Sequence, residues 1–172
     1  MGFTEKEVQD LCIKYNMDYQ KMKEWYDGYL VSSNQSIYNH RSVVCALMDR
    51  KYENYWTSTE TFEALKIYID MDFDGIKENV IRLLAGEYIP VQTISFQNDM
   101  TTFESKDDIY TLLIHPGYLG YDSEEKKCYI PNKEVSDSFV VSISHSQWGN
   151  TTKALVNSRE LLEATWKQDE KR

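Results

Sequence analysis

Residues 109–135 read IYTLLIHPGYLGYDSEEKKCYIPNKEV, and the rest of the chain is organised around them. The apolar segment 109–114 has the length of a short helix and halts at Pro116-Gly117, because proline cannot continue a helix cleanly. Residues 118–122 and 127–131 are two short alternating runs around the charged turn 123–126, the pattern of a β-hairpin. Asn132 stands where it can cap a new helix, which carries Val135, Phe139, Val140 and Ile143. A helix that feeds a β-hairpin is the last part of a winged-helix module.

Working upstream, Ser105-Lys106-Asp107-Asp108 caps the helix of the quoted stretch. Asp72 starts another, with Ile76, Val80, Leu83 and Leu84 apolar and Gly86 in the C′ position. Residues 88–96 (YIPVQTISF) alternate and contain Pro90, which predicts an edge strand or two short ones. From Asp72 onward the order is helix, strand, irregular segment, helix, strand, turn, strand, which is the winged-helix order. In a DNA-reading winged helix, a helix presents polar and basic side chains to the major groove. Here the corresponding helix opens on Asp107 and Asp108, which suit the helix dipole and repel phosphate. The wing tip, Glu124-Glu125-Lys126-Lys127, is charge-balanced. The pattern predicts a winged helix that contacts protein, with DNA contact through Lys126 and Lys127 as the alternative.

The N-terminal part reads as helices around one hairpin. Thr4-Glu5-Lys6-Glu7 is a capping box that opens a helix over residues 5–15, with Val8, Leu11 and Cys12 at helical spacing. Asp18 caps a second helix carrying Tyr19, Met22, Trp25 and Tyr26, and Gly28 breaks it. Residues 29–31 and 36–38 pair around a polar turn. Asn39 caps a third helix, with Val43, Val44 and Leu47 on one face. Thr57-Ser58-Thr59-Glu60 is a further capping box, before a helix with Phe62, Leu65 and Ile69 inward. The last residues, 151–172, space Ala154, Leu155, Leu161, Leu162, Thr165 and Trp166 for one helical face.

Composition bounds the function. The 172 residues, 41% of them hydrophobic and 27% charged, suffice for a real core. The net charge of −9 works against a general affinity for phosphate backbones. No run approaches the ~20 apolar residues of a membrane helix. Three widely spaced cysteines, Cys12, Cys45 and Cys128, fit a reduced, cytoplasmic chain better than a disulfide framework.

The catalytic motifs searched for are missing or weak. A P-loop needs clustered glycines followed by Lys and Ser/Thr, and the seven glycines here are dispersed with no GK[ST]. Glu104-Ser105-Lys106 with Asp99 formally matches a Mg²⁺-dependent PD-(D/E)XK nuclease site, but its flanks are polar and Ser105 serves better as a helix cap. His40, His115 and His145 show no metal-ligand spacing with the cysteines. The most unusual local feature is Trp25-Tyr26-Asp27-Gly28-Tyr29. It reads either as a ligand or partner surface, or as a packed corner with Trp25 and Tyr29 in the core, Gly28 allowing the turn and Asp27 bonding nearby backbone amides. The corner is the favoured reading.

Several stretches, in order along nearly the whole chain, carry a resemblance: GFTEKEV (2–8), EWYDGY (24–29), SIYNHRSVV (36–44), YWTSTE (55–60), LLIHPGYL (112–119), YIPNKEV (129–135) and SRELLEATWKQDE (158–170). Together they resemble the bacterial family of predicted AAA-ATPase-like proteins fused to a C-terminal PD-(D/E)XK nuclease-like domain. In that family these stretches lie after the P-loop core and before the nuclease-like domain. The chain departs from the pattern at His40 and Arg41, where the family's run is Tyr-Asn-Pro-Trp-Ser, and at Pro116. The resemblance implies that ATP and Mg²⁺ belong to the parent protein and that no cofactor, metal or catalytic residue lies in this chain. Its motif residues are Trp25, Tyr26, Asp27, Gly28, Tyr29, Tyr38, Asn39, Gly117, Tyr118, Leu119, Pro131, Asn132 and Glu134.

The expected fold is mainly α with small β-hairpins: a helical part over 1–70, a winged-helix-like part over 71–148, and a helical lead over 149–172 into a missing C-terminal domain. The expected function is non-enzymatic, a coupling or protein-interaction region. Its partners would be the ATPase and nuclease-like domains of the same parent chain or a separate protein, with no membrane and no nucleic acid for the fragment alone. The alternative is a nucleic-acid-binding winged-helix module.

Overall fold

A computed structural model of the chain describes residues 2–32, 35–55, 72, 75–93 and 105–144, with residues 142–144 described by backbone alone. The helix expected after Thr57, the end of the strand expected over 88–96, the Asp99–Glu104 pair, His145 and the 149–172 lead lie outside the described residues, as does the 70/71 boundary. Among the described residues the fold is mainly helical with two small antiparallel sheets.

The first half begins with α1 (Glu5–Tyr15), closed at its start by the predicted capping box: Glu7 N–H donates to Thr4 Oγ1 and Thr4 N–H to Glu7 Oε2. In α2 (Tyr19–Tyr26), Asp18 Oδ1 accepts from Gln20 N–H at 2.8 Å. Strands β1 (Tyr29–Ser32) and β2 (Gln35–Ile37) pair Tyr29 with Ile37 and Leu30 with Ser36. Helix α3 (His40–Asp49) follows the Asn39 cap. Its inward face is Val43, Ala46 and Leu47, and Val44 is 40% exposed, so the predicted face is rotated by one residue. Val8, Cys12, Met22, Tyr26, Tyr38, Val43, Ala46 and Leu47 close into one apolar core.

The second half begins with α4 (Ile76–Leu84). The helix starts at Ile76, with Gly75 as its N-cap, three residues beyond the Asp72 expected to start it. Asp72 still contributes, since its Oδ1 accepts from Lys77 N–H at 3.1 Å. Ala85 closes α4, and Gly86 follows in the expected C′ position. Strand β3 (Ile89–Pro90) comes next, then α5 (Lys106–Ile114), β4 (Gly120–Asp122), β5 (Lys127–Tyr129) and α6 (Lys133–Ser144). The sheet order β3-β5-β4 puts β5 in the centre and Pro90 on an edge, where its missing N–H is harmless. Ile76, Val80, Leu83, Ile109, Leu113, Val135 and Phe139 are among the residues of a second apolar core. The two cores share no residue.

Candidate functional site

Where the two cores meet, hydrogen bonds cross between them, and most of the residues making these bonds come from the motif stretches. Helix α2 ends at Asp27, which is buried and accepts from Ser36 Oγ at 2.7 Å. Gly28 turns the chain at φ +107°, against the backbone of Pro131. Four bonds then join this corner to the second half. Tyr129 Oη donates to Gly28 O at 2.8 Å and accepts from Leu30 N–H at 3.1 Å. Tyr29 Oη donates to Gly117 O at 2.9 Å. Asn132 Nδ2 donates to Asp27 O at 3.0 Å, while its Oδ1 accepts from Val135 N–H at 3.1 Å and caps α6.

Asn132 therefore does two jobs with one amide. A side-chain cap alone is worth about 1 kcal/mol, and a buried carbonyl left without its donor adds a comparable amount. Asn132→Ala is expected to cost about 2 kcal/mol in urea unfolding. Asn39→Ala is expected to cost about 1 kcal/mol, because Asn39 Oδ1 caps α3 while its Nδ2 has no partner among the described residues. Equal losses for the two variants would remove Asn132 from the seam.

Glu134, in the first turn of α6, is fully buried. Its Oε1 accepts from Ser42 Oγ at 3.0 Å and from Tyr55 N–H at 2.7 Å, both in the N-terminal half. Asn54 Nδ2 donates to Glu134 O at 2.7 Å and also reaches Ser138 Oγ. Burial pushes the Glu134 carboxyl up to about 7, against the pull of the Tyr55 N–H, the Ser42 hydroxyl and the Arg41 charge. Ser42 is also fully buried, so a substrate cannot reach the Ser42–Glu134 pair and it offers no open catalytic dyad. Among the described residues no group of three His, Cys, Asp or Glu side chains is arranged to hold a metal ion, and no helix is long and apolar enough to cross a membrane.

The remaining predicted residues fall in three places. The corner reading of 25–29 needs a correction: Trp25 and Tyr29 are only half-buried, and Tyr26 is the side chain that fills the N-terminal core. Tyr26 Oη donates to Glu53 O and accepts from Glu53 N–H, tying residues 50–55 to α2. Trp25 lies under Lys133, with Nζ 5.3 Å from the ring centroid. Tyr38 is buried in the first core, its hydroxyl 3.1 Å from that of Tyr19. Gly117, Tyr118 and Leu119 close α5, with the Tyr118 and Leu119 N–H groups both donating to Leu113 O, and the latter two side chains enter the second core. Lys126 lies in the turn between β4 and β5 and Lys127 opens β5, where Lys127 Nζ pairs with Glu125 Oε2 at 3.0 Å. An open groove of about 550 Å³ along α1 is lined by Gln9, Cys12, Ile13, Asn16, Met17 and Tyr19, and by no motif residue.

Sequence reasoning missed Ser42, Asn54, Tyr55 and Tyr129 as seam residues. All but Asn54 stand inside quoted motif stretches, and Asn54 immediately precedes one, but none has a local pattern that marks it. No family model, no curated protein and no solved structure matches the chain.

Proposed function

We propose that this chain is a non-catalytic coupling and protein-interaction region, the middle part of an AAA-ATPase-like protein fused to a nuclease-like domain. One observation carries the reading. The stretches that carry the resemblance, EWYDGY, SIYNHRSVV, LLIHPGYL and YIPNKEV, are far apart in sequence and converge on one buried seam. A seam of directed hydrogen bonds between two separate cores suits an element that transmits a change of position, since such bonds fix one relative placement of the cores. On this reading the C-terminal elements are winged-helix-like, ATP and Mg²⁺ belong to the ATPase core, and the chain is cytoplasmic, which three free thiols fit.

The purified chain is expected to show no ATP hydrolysis and no Mg²⁺-dependent DNA cleavage. Either activity, if lost on chelation and retained through further purification, would overturn the reading. Binding to labelled duplex DNA is expected to be negligible at low salt, given the net charge of −9 and the Lys127–Glu125 pair at the wing tip. Tight binding with a steep salt slope, weakened by charge reversal at Lys126 and Lys127, would instead establish the nucleic-acid-binding module.

A further inference from the structure

Glu134 occupies the first turn of a helix, where a carboxylate normally meets water and the positive end of the helix dipole. Here it is fully buried and reaches the other core. Among the described residues, both of its hydrogen bonds fall on one oxygen, Oε1, and Oε2 is buried without a partner. An ionised carboxylate has acceptor capacity on both oxygens and is costly to bury when one of them is left dry. A neutral carboxyl group fits the arrangement better. Its carbonyl oxygen takes both donors, and the proton on the other oxygen removes the charge that burial penalises most.

We propose that Glu134 is a proton-operated latch: its neutral carboxyl group fastens the N-terminal core to α6, and loss of the proton loosens the seam. The proposal stands on the seam geometry and goes beyond the coupling reading, since it holds whatever the chain is joined to. Among the described residues the groups facing Glu134 are few. Arg41 and Ser42 come from α3, Tyr26 from α2, Tyr29 from the start of β1, and Tyr55 from the segment after α3. Burial raises both the Tyr26 and Tyr29 hydroxyls, so they stay neutral through the physiological range. Arg41 favours the ionised form, and Ser42 and Tyr55 donate to it. On its own helix, Lys133 pairs with Asp137 and covers Trp25.

The sign follows from an acid held above its ordinary value. The folded seam retains its proton from pH 4.5, where a free glutamate titrates, up to about 7. Within that window each pH unit raises the opening constant of the seam about tenfold, and it is level on either side. The latch is tightest in mild acid and loosest above neutrality.

The test titrates the full chain, ¹³C-labelled at its glutamate carboxyls, by NMR, with Glu134→Gln to identify the signal. One carboxyl is expected to titrate near pH 7 and to move upward in both Ser42→Ala and Arg41→Gln, which remove a donor and a cation. The wild-type chain should also lose stability relative to Glu134→Gln as the pH rises from 5 to 7. If Glu134→Gln does not fold, the upward shift in Ser42→Ala identifies the signal instead. A chain in which no glutamate titrates above pH 6, or whose high-titrating signal ignores both substitutions, overturns the latch.

Discussion

Gly28→Ala lowers the stability of the chain by about 4 kcal/mol, among the largest effects of a single methyl group. Two costs combine. At φ +107° an L-residue is strained by about 1–3 kcal/mol. The new Cβ would also overlap the carbonyl oxygen of Pro131 and lie 2.8 Å from its carbonyl carbon. That carbonyl is backbone, one residue before the Asn132 cap, so it cannot move without drawing α6 away from Asp27. Gly75→Ala is the control. Gly75 has φ +73° with no atom of the described residues within 4 Å of its Cβ position, so only the backbone cost of about 1–2 kcal/mol remains. Urea unfolding of both variants, compared at equal slope, makes the check. Matching losses would mean that the close approach of residue 28 to Pro131 is dispensable.

Tyr129 gives the second large effect, in two steps that separate hydroxyl from ring. Tyr129→Phe keeps the ring and removes the group that donates to Gly28 O and accepts from Leu30 N–H. Two backbone groups lose their partner, which predicts a loss of about 2 kcal/mol. Tyr129→Ala also removes a ring that is only 7% exposed and lies 4.9 Å, centroid to centroid, from Tyr88. The same ring lies over Gly120, where a side chain would collide with it. Deleting it leaves a hole between sheet and corner, for a total of about 4 kcal/mol. The pair of measurements decides how the seam is held. A Phe variant as stable as the wild type would place all of the Tyr129 contribution in packing and none in the bonds to residues 28 and 30.

Much of the local structure was legible in the residues. Thr4, Asp18, Asn39, Ser105 and Asn132 each mark a helix start because a cap acts over three residues, a distance that sequence alone supplies. Pro90 pointed to a sheet edge for an equally local reason, its missing donor. The errors were rotations and offsets. Val44 faces solvent because the partners available to α3 sit on the Val43 side, and α4 starts late because Gly75, in the left-handed region, takes the N-cap place expected of Asp72.

The seam was beyond that reach. Nothing local says that Asp27 will receive a bond from a residue 105 positions away, or that Tyr129 will span 101 positions to Gly28. Glu134 shows the limit most clearly. In sequence it is an acid in a first helical turn, which the dipole alone would explain. Only the docking of α3 and residues 54–55 against α6 strips it of water and gives its two donors to a single oxygen. The chain's caps and periodicities determined its elements, because those forces act within a few residues. The corner at Gly28 and the carboxyl at Glu134 acquired their roles from tertiary structure, because close approach and desolvation exist only once distant segments meet.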